Sequence, residues 1–88
     1  MKIISRSNPD LCLVEISNGK ATFPKKISGK PTFFETIMQK RGVEIPAGRV
    51  EDFGNKHFIK ADNPLFPKAI EEIYCNTMLD KDRYEVVD

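Results

Sequence analysis

The chain offers few side chains that could do chemistry. His57 is its only histidine, so no imidazole cluster can hold a metal and a single imidazole is available to move a proton. It stands between Lys56 and Phe58 in a strand-like run and reads as an ordinary surface or partly buried residue. Two cysteines, Cys12 and Cys75, are too few for a disulfide framework or a four-ligand zinc site. Cys12 lies mid-strand among apolar residues, and Cys75 flanks the apolar stripe of a helix. Neither has a basic neighbour in sequence to depress its pKa, so both read as small core hydrophobes. A nucleophilic pair would require Cys12 or Cys75 to meet His57 in space, and nothing in the sequence asks for that.

Phosphate and carboxylate chemistry fare no better. Gly19, Gly29, Gly42, Gly48 and Gly54 are too scattered for a nucleotide-binding loop. Glu51-Asp52 and Glu71-Glu72 read as solvated charge rather than opposed catalytic carboxylates. Asp80 and Asp82 are interleaved with Lys81 and Arg83 and lack a calcium-loop pattern, so a turn is expected there. No catalytic residue, cofactor or metal site is assigned.

Charge is the most informative feature. Lys20, Lys25, Lys26, Lys30, Lys40 and Arg41 face only Glu35 across residues 20–41. Three of them, Lys25, Lys26 and Lys30, lie in a connector bounded by Pro24 and Pro31, where no core needs them. More broadly, residues 1–49 carry nine bases and four acids, whereas residues 50–88 carry five bases and nine acids. Such asymmetry steers association with a charged partner, unless folding mixes the two halves in space. Phosphate binding by the basic region would gain from aromatic stacking. Phe33 and Phe34 belong to a helix stripe, which leaves Phe23 as the only platform.

The elements that must position these residues follow from the pattern. Residues 2–6 read as a strand, ended by the turn-forming Ser7-Asn8-Pro9-Asp10. Residues 11–16 read as an interior strand, apolar on both faces. Asn18-Gly19 predicts a two-residue type I′ hairpin turn into a return strand at 20–23. Thr32 with Glu35 fits a capping box. A helix then runs with Phe33, Phe34, Ile37 and Met38 on one stripe and Gly42 just past its end. Residues 43–55 read as a long loop or one hiding a short strand near Val50, and residues 56–60 as a strand. Asp62 or Asn63 is expected to cap a second helix with Pro64 at its first position and Pro67 in its first turn. Its expected buried stripe is Ala69, Ile70, Ile73, Tyr74, Thr77 and Met78. Residues 80–82 turn the chain into a final strand over 83–87, with Tyr84 and Val86 on one face.

The order β-β-β-α-(β)-β-α-β predicts a single α+β domain. Its architecture is a two-layer sandwich with a mainly antiparallel sheet of four to six strands and two helices on one face. Eighty-eight residues give one modest core, and no apolar run approaches the ~20 residues of a membrane span. The start of the chain turns polar after Ile4, so no signal peptide and a cytoplasmic location are expected. The function expected is a small module that binds another protein and regulates or inhibits it. Its partner would be acidic and meet Lys25, Lys26 and Lys30, with further contacts from Lys20, Lys40 and Arg41. The alternative functional face is acidic: Glu71, Glu72, Asp80 and Asp82. Self-association as a homodimer fits the same reading. A nucleic-acid-binding domain using residues 20–41 is the first alternative, and a small enzyme without identifiable catalytic residues the second.

Overall fold

Asn18 and Gly19 adopt φ values of +52° and +72°, the left-handed pair that a type I′ turn requires. The turn joins β2 (Cys12–Ser17) to β3 (Lys20–Thr22) as a tight antiparallel hairpin. β1 (Lys2–Ser5) lies along the other side of β2. The structure is a computed structural model that describes residues 1–24, 33–45, 49 and 58–88.

Between β1 and β2 the register slips, from Ile3 opposite Val14 to Ile4 opposite Cys12. Leu13 is therefore an extra residue in β2, a β-bulge. Its effect is to bury two consecutive side chains, Leu13 and Val14, which strict alternation forbids. With Ile3 and Ile16 they form the apolar floor of the core.

β6 (Tyr84–Val87) closes the sheet by pairing antiparallel with β1, so the strand order is β3-β2-β1-β6. Both edges are legible from the pairing. On β3, Lys20 and Thr22 pair with Ser17 and Glu15 of β2. The intervening Ala21 is the only strand residue whose N–H and C=O turn outward, and Pro24, two residues beyond the strand, has no N–H to offer.

The helices cover one face. α1 (Phe33–Lys40) packs on β2 with Phe34 and Met38 buried. The expected capping residue Thr32 lies outside the described residues. Gly42 ends the helix at φ +73°, and its N–H donates to the Met38 carbonyl at 3.1 Å. Directly after it comes a strand that the sequence did not disclose. β4 (Val43–Glu44) pairs with β5 (Phe58–Ile59) as a separate two-stranded sheet. The short strand near Val50 that the sequence suggested falls outside the described residues. β5 covers part of the expected 56–60 strand.

The second helix starts at Phe66, two residues later than Pro64 suggested. Asn63 caps the turn before it, accepting the Leu65 N–H on Oδ1 at 3.0 Å. Pro67 occupies the first turn of α2 (Phe66–Ala69) as expected. The chain then runs without a break through a π-helical turn (Ile70–Tyr74) into α3 (Cys75–Thr77). The wide turn corrects the expected stripe. The Cys75 N–H reaches back five residues to the Ile70 carbonyl, and the Leu79 N–H five residues to that of Tyr74. One extra residue per turn advances the buried positions by one. Ala69, Ile70 and Ile73 are buried as expected, but Cys75 and Leu79 take the later core positions. Thr77 and Met78 are exposed, Met78 by 47%.

Phe23, Phe34, Phe66 and Tyr74 fasten the two layers. The Phe23 ring lies 6.5 Å from Phe34 and 6.0 Å from Phe66, and Phe34 meets Tyr74 edge-on at 5.6 Å. Each such pair adds about 0.5–1.5 kcal/mol beyond its buried area.

Candidate functional site

Lys20 stands exposed at the start of β3, on one edge of the sheet. Lys40 and Arg41 are exposed at the end of α1. Lys25, Lys26 and Lys30 lie outside the described residues, as does His57. Phe23 is not the free stacking platform the sequence suggested, because its ring is held against Phe34 and Phe66. That was not readable from sequence, since both contacts join distant parts of the chain.

The acidic residues gather at the opposite edge. Glu71 and Glu72 are exposed on the π turn, and the Asn76 side chain donates to the Glu72 carbonyl at 3.0 Å. Asp80 serves the turn into β6. Its Oδ1 accepts the Asp82 N–H at 3.1 Å, its carbonyl accepts the Tyr84 N–H at 3.0 Å, and its carboxylate lies 3.7 Å from Arg83 Nε. Asp80 and Asp82 thus build a turn, and no cluster of metal-ligating side chains occurs among the described residues.

Between the second helix and β6 opens a cleft of about 580 Å³. Arg6, Glu71, Cys75, Leu79, Lys81 and Val86 are among the residues lining it. Sequence reading placed Tyr84 and Val86 on one strand face but missed the cleft, because nothing local says that the last strand pairs with the first. The cleft is polarised along its length. The helix runs down to Leu79, the chain turns, and β6 returns antiparallel to it. Lys81 therefore sits near the start of β6. Arg6 is held there too, by its Nε–H donating to the Lys81 carbonyl at 2.6 Å and by Glu85 at 3.8 Å. Glu71 lies eight residues before Leu79, roughly 12 Å back along the helix, beside the end of β6 and Asp88. One end is basic and the other acidic.

Neither thiol is poised as a nucleophile. Burial and then the Glu71 carboxylate push the Cys75 thiol above its ordinary value, against a smaller opposing effect of Lys81. Burial and Glu15 do the same to Cys12, whose Sγ donates weakly to the Val14 carbonyl at 3.5 Å. Both remain protonated at neutral pH.

No protein-family model matches the chain, and no curated protein or solved structure matches it. No described helix is long and apolar enough to cross a membrane.

Proposed function

We propose that this protein is a small interaction module that binds an acidic protein partner and regulates or inhibits it, with binding rather than catalysis as its role. The observation that carries this reading is the placement of charge across the sheet. Lys20 lies on the β3 edge, and the chain leaves that edge through Pro24 into Lys25, Lys26 and Lys30. Glu71, Asp80 and Asp82 belong to the elements at the β6 edge. Three intervening strand spacings, roughly 14 Å, separate the two, more than a Debye length at physiological salt. Folding therefore does not cancel the split that the sequence carries, and an acidic surface approaching from the β3 side meets cations first.

The test starts from a pull-down after nuclease treatment, which removes partners bridged by nucleic acid. Association rates with the recovered protein are then measured for the parent and for a triple variant, Lys25→Glu, Lys26→Glu and Lys30→Glu. The triple variant should keep its fold and associate more slowly at low salt, with the difference shrinking at high salt. Equal rates at low salt would remove the basic side from the interface. Partners lost on nuclease treatment would favour nucleic-acid binding instead.

A further inference from the structure

We propose that the outer edge of β6 is a self-association surface, on which a second copy of this chain docks with β6 against β6 in antiparallel register. The two sheets would join into one of eight strands. This goes beyond the binding of an acidic partner, which uses the opposite edge.

The first observation is the edge itself. The Arg6 N–H donates to the Arg83 carbonyl, so in the β1–β6 ladder Glu85 and Val87 turn their backbone groups inward to β1. Val86 turns its N–H and C=O outward, as Tyr84 does its C=O, while the Tyr84 N–H is taken by Asp80. No strand pairs with that edge among the described residues. The second observation is Val86, opposite Ile3 on the helix-covered face, yet 40% exposed at the mouth of the cleft. A two-fold axis through Val86 lets it exchange both backbone hydrogen bonds with Val86 of the second copy. The same axis brings the two exposed side chains together.

The third observation selects the occupant. The cleft beside β6 runs from a basic end at Arg6 and Lys81 to an acidic end at Glu71 and Asp88. Antiparallel pairing reverses one copy against the other, so each basic end faces the other copy's acidic end. A charge gradient along an edge is self-complementary in this arrangement, whereas a peptide of uniform sign would be repelled at one end. Four-residue strands bury less than the ~1,200 Å² of a standard interface, so the dimer is expected to be weak and concentration-dependent.

The test is sedimentation equilibrium of the full chain from micromolar to millimolar concentration at low salt. The parent should pass from monomer to dimer. Val86→Pro removes an N–H that β1 does not use, a substitution edge strands accept, and should weaken the dimer at least about tenfold. Glu71→Lys and Lys81→Glu should each weaken it alone. An equimolar mixture of these two variants should associate more tightly than either, because the heterodimer restores opposite charges at both ends. Mixing cannot rescue a role internal to one chain. A parent that stays monomeric throughout, a Val86→Pro variant that dimerises like the parent, or a mixture no tighter than its components would each overturn the proposal.

Discussion

The backbone of Gly42 lies directly against the peptide group that follows Ile59. A Cβ on Gly42 would stand 2.6 Å from the Ile59 carbonyl carbon and 3.0 Å from the Lys60 amide nitrogen. Both obstacles are backbone, so no side chain can swing aside. Gly42 also holds φ at +73°, a conformation that alone costs an L-residue about 1–2 kcal/mol. Gly42→Ala is therefore expected to lower stability by more than about 2 kcal/mol, measured by urea denaturation. A loss below 1 kcal/mol would mean that α1 and β5 do not approach as described.

The hairpin turn gives a contrasting case. Gly19 also has positive φ, but nothing lies within 4 Å of where its Cβ would be. Gly19→Ala should cost only the conformational term, about 1–2 kcal/mol. Gly19→Val should cost more, because β-branching strains the left-handed conformation further. Equal melting of Gly19→Val and the parent would contradict the type I′ turn.

In the second helix the π turn makes neighbouring residues behave oppositely. Ile73→Ala and Leu79→Ala remove buried side chains and should each cost roughly 2–5 kcal/mol. Met78→Ala should change stability by no more than about 0.5 kcal/mol, as expected of an exposed site. A helix without the extra residue would exchange the results for positions 78 and 79.

The Tyr74 phenol is pushed up to about 12, first by burial and then by the neighbouring Tyr84. The folded state thus holds this proton more tightly than the unfolded chain, whose tyrosine titrates near 10. The resulting stabilisation is complete below pH 10 and is lost as pH rises from 10 to 12. Tyr74→Phe should melt like the parent at pH 7 and fall off less steeply above pH 10. Identical alkaline profiles would show that the Tyr74 phenol does not contribute.

What the sequence disclosed and what it withheld divide along the range of the interactions. The Asn18-Gly19 turn, the Gly42 helix end and the Pro67 position depend on φ preferences of one or two residues, and each is where the pattern put it. β4 was hidden because two residues carry no periodicity. Val43 is a strand residue because Gly42 delivers it to Ile59. The π turn was hidden because five-residue hydrogen bonds arise from packing, and the stripe drawn through Tyr74 and Met78 belongs one residue further on. At the candidate sites, Glu71 and Glu72 were legible as wet-face acids and Lys20 as an exposed base. That they occupy opposite edges follows from the pairing of β1 with β6, some eighty residues apart in the chain, which no local pattern encodes.

The β3 edge has a consequence for growth. Ala21 is the only strand residue there with outward backbone groups, and the chain reaches Pro24 two residues after the strand ends. Fibrils and filaments lengthen because each added unit presents a fresh edge like the one it covered. Here a copy that joins through β6 presents its own β3, which holds no second strand. The sheet can double and then must stop. Concentrated solutions should therefore contain monomers and dimers without a ladder of larger oligomers, and seeds of pre-associated protein should not accelerate anything.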